Sequence, residues 1–379
     1  MILVLHAYSR GNRGDGLLVD LTVKAIKKAI PEETDIVVVA MDAESFNDLY
    51  LSVQVPMTSE VRYKRIFSQI STSIKLMFNL VSGRQVSFNN LSKLASKADL
   101  IVGVGGGYMR SGSWIEGLKA CIVHATQAYI SSWAKCPAIY LPQSVGPLNG
   151  VTGKIINRAI SGINTIYLRD DKSVSELTQH NGVVRAPDLA IMKLFDIEDS
   201  QLNAVEYKNV YIIARDLKKS HNTNKQYISM LNKLRLLIPE AEVVLQSAVR
   251  GNNDQKFYEK LKWGTQFRSI TQAIKDSGPG VVVSVRLHGA IQSLIDGCPS
   301  VHLSYERKGF GAYDDIGLQD YVHCATQFDP DLVSKQVFEL CSDSSEYWRR
   351  ISLASTRVKD QHEKMLVSIR DMYKSNTGL

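Results

Sequence analysis

Residues 280–290 read Gly-Val-Val-Val-Ser-Val-Arg-Leu-His-Gly-Ala, a β-branched run followed at once by polar side chains and a glycine. The apolar run predicts a buried strand over 280–285, and the pattern at 289–296 predicts a helix. A buried strand that leads directly into a helix is typical of a parallel sheet covered by helices.

The same alternation of short apolar runs and helical patterns continues on both sides of this stretch. Nearby, strands are predicted at 210–213, 242–245 and 300–303, with a helix at 225–237. Nearer the beginning, a separate series of strands is predicted at 2–5, 36–39, 100–104, 138–141 and 165–168. Two series predict two sheets, and a single core rarely grows beyond about 250–300 residues.

The polar cluster at 194–205 separates the two series. We therefore predict an α/β protein with two Rossmann-like domains facing a cleft, one over residues 1–195 and the other over 205–343. Residues 344–379 have a helical pattern without a strand signal, and a return of this helix to the first domain is an open alternative.

Composition limits the classes of partner and compartment. The formal charge of +7 and the pI near 9.0 favour an anionic partner. Zinc-finger spacing and RNP-type motifs are missing from the sequence, which argues against nucleic acid. The five cysteines form no CxxC pair, and the chain shows neither a signal-peptide pattern nor an apolar run of about 20 residues, so we expect a cytoplasmic protein without a membrane span.

A segment at 57–81 has apolar residues at helical spacing beside basic ones. A basic amphipathic helix can lie on an anionic membrane, and it can equally pack on its own domain. Peripheral membrane contact at the inner face is therefore an open alternative.

Several candidate site residues of the first domain come just after predicted strands, where ligands of open α/β sheets bind. They are Asn12 and Asp15 in Asn-Arg-Gly-Asp-Gly, the turn residues Gly105, Gly106 and Gly107, the pair Gln143 and Ser144, and Arg169. Each has a structural alternative, such as a helix cap for Asp15, a tight turn for the glycines and a surface ion pair for Arg169.

In the second domain, Arg286 and His288 alternate across one residue, so their side chains point the same way if the backbone stays extended. Such a pair makes an anion clamp with a titratable proton donor. Lys308 follows the next predicted strand and is a further basic candidate, with Arg215 a weaker one. No second ligand lies at metal spacing near His288, so we predict no metal.

Taken in order, these segments resemble the polysaccharide pyruvyl transferase family over nearly the whole chain. The matching motifs are Asn-x-Gly-Asp at 12–15, the Gly-Gly-Gly turn at 105–107, Gln-Ser-Val-Gly-Pro at 143–147, Leu-Arg-Asp-Asp-x-Ser at 168–173, Ala-Pro-Asp-Leu-Ala at 186–190 and Arg-Leu-His-Gly-Ala-Ile at 286–291. The resemblance implies a fold like that of GT-B glycosyltransferases, phosphoenolpyruvate as co-substrate without a further cofactor, and a pyruvate ketal on a sugar of a polysaccharide or lipid-linked oligosaccharide.

The resemblance also implies that Arg169 and Arg286 hold the donor with His288 beside them, the second domain being the donor side and the first the acceptor side. Two guanidinium groups suit the carboxylate and phosphate of phosphoenolpyruvate. We expect His288 to act as the acid and Asp15 as the base, and the reverse assignment stays open.

Two other functions remain as alternatives. The first is a GT-B-like nucleotide-sugar glycosyltransferase, in which Glu306 or Asp314 binds a ribose. The second is a non-catalytic protein that uses its positive charge to bind polyanions.

Overall fold

The computed structural model describes residues 1–33, 35–54, 71, 89–196, 206–217, 221–247 and 253–378. The chain forms two compact units. The first unit contains Met1–Arg10, Asp15–Leu189 and Gln361–Leu379, and the second contains Gly11–Gly14 and Ala190–Asp360. The amphipathic segment at 57–81 lies outside the described residues, apart from Ser71.

The first part of the chain alternates strands and helices. In order, these are β1 (Ile2–Ala7), α1 (Arg13–Ala29), β2 (Ile36–Ala40), a 3-10 turn (Ala43–Phe46), β3 (Leu51–Gln54), α2 (Asn89–Ala95), β4 (Leu100–Gly103), β5 (Met109–Ser111), α3 (Trp114–Ala120), a π-helical turn (Cys121–Ala125), α4 (Thr126–Trp133), β6 (Ala138–Gln143), β7 (Val145–Leu148), α5 (Gly150–Ile160), β8 (Thr165–Leu168), α6 (Asp171–Glu176) and β9 (Val183–Arg185).

The second part repeats the alternation. In order, it contains α7 (Leu189–Leu194), β10 (Asn209–Ile213), α8 (His221–Leu237), β11 (Glu242–Val243), α9 (Asp254–Lys260), α10 (Ile270–Ser277), β12 (Gly280–Ser284), α11 (Leu287–Ile295), β13 (Ser300–Ser304), α12 (Arg307–Asp314), a 3-10 turn (Gln319–Tyr321), β14 (Val322–Cys324), α13 (Pro330–Ser342) and α14 (Ser345–Thr377).

Each part has its own parallel sheet. The first has the order β3-β2-β1-β4-β6-β8-β9, and the second has the order β11-β10-β12-β13-β14. Their central strands are buried along their whole length, as a sheet with helices on both faces requires. The predicted α/β class with two series of parallel strands is confirmed.

The strand orders define where a ligand is expected in each sheet. In the first sheet β1 pairs with both β2 and β4, and in the second β10 pairs with both β11 and β12. The chain order reverses at these points, and crevices at the carboxyl ends of such strands bind ligands in open α/β sheets.

Helix α14 contributes to both units, since its residues up to Asp360 belong to the second and those from Gln361 to the first. In the second unit, the indole nitrogen of Trp348 donates a hydrogen bond to the hydroxyl of Tyr207 at 3.2 Å. In the first unit, Ile369 is buried and Arg370 donates to the carbonyl oxygen of Ala29 at 3.0 Å. Among the described helices, none is both long and apolar enough to cross a bilayer.

Candidate functional site

Arg169 lies directly after β8 in the first unit and is only 3% exposed. Its Nη1 donates a hydrogen bond to the carboxylate of Asp188, and its Nε donates to Ser144 Oγ at 3.0 Å. Its Nη2 makes no hydrogen bond with the residues that the structure describes. The buried ion pair and the serine therefore hold the guanidinium through Nη1 and Nε. Nη2 is left without a hydrogen bond to the described residues.

Ser144 is itself oriented by the cap of the next helix. Its Oγ donates to Asp170 Oδ2 at 2.7 Å, while Asp170 Oδ1 accepts hydrogen bonds from the backbone nitrogen and the hydroxyl of Ser173. Asp170 thus caps α6 and fixes the serine that contacts Arg169. The predicted alternative of a surface ion pair between Arg169 and a neighbouring aspartate is wrong, since the buried partner is Asp188.

The glycine turn packs against the same region. A Cβ added to Gly105 would lie 2.5 Å from the carbonyl oxygen of Pro142, and one added to Gly106 would lie 2.7 Å from the ring of Tyr108. These two glycines are therefore required by close packing within the chain. A Cβ on Gly107 would instead lie 3.5 Å from Arg169 Nη2, so Gly107 borders the unused end of that guanidinium.

Gln143, the last residue of β6, is 1% exposed. Its Oε1 is enclosed and has no hydrogen-bond partner among the described residues. A buried amide oxygen without a partner is costly, which makes Gln143 a candidate for binding a ligand.

Arg286 follows β12 in the second unit and is 8% exposed. Its Nε donates to both carboxylate oxygens of Asp254, at 3.0 and 2.9 Å. Burial raises the pKa of Asp254, and this outweighs the opposing effects of the Arg286 guanidinium and of the backbone N–H groups of Ser247 and Gln246. The arrangement parallels Arg169 with Asp188: a strand-end arginine held by a buried carboxylate.

Two further polar atoms lie beside Asp254. Gln246 and Ser247, whose backbone N–H groups reach Asp254 Oδ2, are 7% and 3% exposed. Gln246 Oε1 and Ser247 Oγ are enclosed without hydrogen-bond partners among the described residues. These two residues belong to none of the sequence motifs described above, and they add polar groups to the Arg286 region.

The backbone does not stay extended from Arg286 to His288, so the condition under which their side chains would point the same way is not met. Arg286 is the N-cap of α11, with φ −101° and ψ 119°, and the helix begins at Leu287, so His288 lies in its first turn. His288 instead contacts the segment Gly11–Gly14, which belongs to the same unit. A Cβ on Gly14 would lie 2.5 Å from His288 Nδ1, so the Asn-x-Gly-Asp and Arg-Leu-His-Gly motifs meet at this point.

The remaining predicted residues have identifiable positions. Helix α1 begins at Arg13, so Asp15 lies in its first turn, and the structural alternative of an N-cap at Asp15 is wrong. Asn12 Oδ1 accepts a hydrogen bond from the backbone nitrogen of Gly14 at 3.3 Å. Lys308 pairs with Glu306 at 2.9 Å.

Lys308 and His288 both lie close enough to His302 to affect its titration. The pKa of His302 is lowered to about 4, mainly by burial and further by the charges of Lys308 and His288. Its Nδ1 donates to the carbonyl oxygen of Ser284 on β12. His302 on β13 therefore lies near His288 and Lys308, which belong to the helices that follow β12 and β13.

Sequence reasoning missed the carboxylates that hold the two arginines. Asp188 lies within the Ala-Pro-Asp-Leu-Ala motif, which was a usable signal, whereas no pattern marks Asp254. Among the described residues, no group of three or more His, Cys, Asp or Glu side chains is placed to hold a metal ion.

Comparisons with solved structures identify the fold. The chain is similar to a protein provisionally named UDP-N-acetylglucosamine 2-epimerase from Listeria monocytogenes, with a TM-score of 0.57 and 10% identity over 99% of this chain and 96% of that one. It is also similar to a structure described as UDP-N-acetylglucosamine 2-epimerase, with a TM-score of 0.52 and 10% identity over 96% and 94% of the two chains. These likenesses show the fold alone, two Rossmann-like domains similar to GT-B glycosyltransferases.

A search of curated proteins found no match to the chain. A family model described as polysaccharide pyruvyl transferase matches residues 12–307, which span both parallel sheets except for β1 and β14. The match includes every motif that carried the resemblance. The chain therefore belongs to the polysaccharide pyruvyl transferase family.

Proposed function

We propose that the chain transfers the pyruvyl group of phosphoenolpyruvate to a sugar of a polysaccharide or lipid-linked oligosaccharide, forming a pyruvate ketal. Membership of the family supports the reaction class. The choice of phosphoenolpyruvate as donor is based mainly on the guanidinium of Arg169. This group is held through Nε and Nη1, while its Nη2 borders Gly107.

An arginine held in this way suits a small, highly charged donor. A carboxylate or phosphate oxygen takes charge-assisted hydrogen bonds from a guanidinium, and a glycine beside it leaves room for the anion. Gln143, with its enclosed amide, and Arg286, held by Asp254, are further donor-binding candidates. We assign Lys308 a supporting electrostatic role.

The chemistry requires one proton on carbon and two new carbon–oxygen bonds. Protonation of the methylene carbon makes C2 of the donor electrophilic, and a sugar hydroxyl oxygen bonds to C2 as its proton leaves. A second hydroxyl oxygen then bonds to C2 while the C2–O bond to phosphate breaks. The two released protons balance those gained by the methyl group and by phosphate. We assign His288 as the acid and Asp15 as the base.

Binding of phosphoenolpyruvate to purified variants tests the donor site without any acceptor. We expect Arg169→Lys and Arg286→Lys to weaken binding by about tenfold to a hundredfold, because each loses charge-assisted hydrogen bonds while keeping its charge. Gly107→Ala should also weaken binding, since the added methyl group lies beside Nη2. Isothermal titration calorimetry and the ligand-induced rise of the thermal midpoint measure both effects.

The matched controls are arginines in more exposed ion pairs. Arg185 pairs with Asp171 in the first unit, and Arg268 pairs with Glu242 in the second. Arg185→Lys and Arg268→Lys should leave binding unchanged. A midpoint raised by UDP-sugars but not by phosphoenolpyruvate would instead support a nucleotide-sugar glycosyltransferase that uses Glu306 or Asp314.

A further inference from the structure

Two histidines and two tyrosines form an aromatic cluster in the first unit. His6 stacks on Tyr108 with ring centroids 4.6 Å apart, and Tyr108 stacks on His124 at 4.5 Å. Tyr140 meets His6 edge-on at 5.1 Å. His6 is near the end of β1, Tyr108 follows the glycine turn after β4, and His124 lies in the π-helical turn.

The hydrogen bond that Ser131 donates sets the direction of the others in this cluster. Ser131 Oγ lies 3.0 Å from the carbonyl oxygen of Gln127, which can only accept, so the hydroxyl hydrogen of Ser131 is used there. The hydroxyl of Tyr140, 3.0 Å from Ser131 Oγ, must therefore donate to it. The Tyr140 oxygen is then an acceptor for His6 Nε2, which lies 2.7 Å away.

The same logic fixes the tautomer of the second histidine. A neutral His6 that is protonated on Nε2 has a bare Nδ1, which accepts from His124 Nδ1 at 3.2 Å. His124 is then protonated on Nδ1, and its Nε2 carries a free lone pair. That nitrogen makes no hydrogen bond with the described residues, and His124 as a whole is partly exposed.

Burial keeps both rings uncharged. It lowers the pKa of His124 to about 3, and it lowers that of His6 well below its usual value, with a further effect from His124. Among the described residues, the groups in contact with the pair are Tyr108, Tyr140, Ser131 and Gln127, and none of these carries a charge near neutral pH. His124 Nε2 therefore stays a hydrogen-bond acceptor over the physiological range.

The cluster lies where the fold provides a ligand site. His6 lies near the carboxyl end of β1, and the turn before Tyr108 follows β4. The order of the first sheet reverses at these two strands. His6 has φ 70°, rare for a residue with a side chain, and its backbone nitrogen donates to Gln127 Oε1 at 3.0 Å. Such backbone conformations and π-helical turns are concentrated at functional sites.

We propose that His124 binds the acceptor sugar by accepting a hydrogen bond from one of its hydroxyl groups at Nε2. A bare imidazole nitrogen repels an anion and favours a neutral hydroxyl donor, so this subsite belongs to the sugar and not to phosphoenolpyruvate. The chain through His6, Tyr140 and Ser131 fixes the acceptor tautomer. The inference rests on the proposed function for the identity of the sugar as the acceptor substrate.

The tautomers are measured directly by ¹⁵N NMR of histidine-labelled protein, in which protonated and bare ring nitrogens have distinct shifts. We expect a bare Nε2 on His124 and a bare Nδ1 on His6. Millimolar p-nitrophenyl hexopyranosides should shift the His124 Nε2 resonance, and phosphoenolpyruvate alone should not. An N–H on His124 Nε2, or an imidazolium, would overturn the inference.

Two substitutions separate binding from structure. His124→Asn keeps a donor where Nδ1 was and removes the group at Nε2, whereas His124→Gln places an amide oxygen near the Nε2 position. We expect His124→Asn to raise the KM for the hexopyranoside about tenfold, measured by phosphate release, with phosphoenolpyruvate binding unchanged. His124→Gln should recover part of this loss.

The outcomes distinguish this inference from the proposed function. Hexopyranoside-dependent phosphate release that His124→Asn leaves unaltered overturns the sugar subsite while the pyruvyl transferase function stands. In the opposite outcome, the hexopyranoside shifts the ¹⁵N resonance of His124 Nε2, but the protein neither binds phosphoenolpyruvate nor releases phosphate. That result supports the subsite and refutes the proposed function.

Discussion

Gly14 is a glycine because the imidazole of His288 fills the space where a side chain would begin. A Cβ there would lie 2.5 Å from Nδ1 and 3.0 Å from Cγ of that ring. The glycine of the first motif thus controls where the histidine of the last motif lies. The sequence allowed each motif to be predicted separately, but their contact joins residues far apart in the chain, and no local pattern encodes it.

We expect Gly14→Ala to displace the His288 ring and lower the rate of phosphate release at least tenfold, if His288 is the acid. Overpacking of this kind costs about 1–3 kcal/mol, so the protein should still fold. The control is Gly16→Ala in the same helix, where the added methyl group meets the flexible Cγ of Arg10 at 2.9 Å. Equal rates in the two variants would contradict the role of His288.

At the scale of elements, strands were predicted well where both faces are buried. The runs at β1, β2, β4, β6 and β8 are recognisable because parallel strands covered on both sides are continuously apolar. Strands β3 and β9 were missed because they are short and partly exposed. The start of α11 at Leu287 was also missed, since Arg286 is an unusual N-cap residue.

Helix α14 offers a test of how its final turns stabilise the first unit. Ile369 is fully buried there, whereas Val367 on the same helix is 39% exposed. We expect Ile369→Ala to destabilise the first unit by about 2–5 kcal/mol and Val367→Ala by much less. Urea unfolding measures both, and an equally small loss in the two variants would show that this part of the helix contributes little to the core.

At the scale of the whole molecule, buried neutral histidines make stability depend on pH. Burial lowers the pKa of His124 to about 3 and that of His302 to about 4, below the ordinary value of 6.5. As the pH falls below 6.5, these histidines bind protons in the unfolded chain but stay neutral in the folded protein. The free energy of unfolding therefore decreases on acidification. His124 affects the first unit and His302 the second.

By about pH 5, each of these histidines should reduce the free energy of unfolding by about 2 kcal/mol relative to pH 7. Amide hydrogen exchange read by mass spectrometry follows each unit separately. His302→Asn retains a donor to the Ser284 carbonyl oxygen and should flatten the pH dependence of the second unit only. An unaltered profile in this variant would show that other groups control acid stability.

The overall division into two α/β halves followed from the sequence because it depends on local patterns that recur along the chain. The carboxylates that hold the arginines did not, because each pairing joins two different elements: Asp188 follows β9, and Asp254 begins α9. Asp188 lies 19 residues from Arg169, and Asp254 lies 32 residues from Arg286. Which carboxylate meets which arginine is decided by tertiary packing.

Helix α14 also sets the order in which the protein can be completed during synthesis. Residues 361–379 belong to the unit that begins at Met1, while Ala190–Asp360 make up nearly all of the other. On the ribosome, the second unit therefore has almost all of its residues before the first has acquired its last helical turns. Part of the core of the first unit therefore stays uncovered until the residues from Gln361 onward have emerged from the exit tunnel.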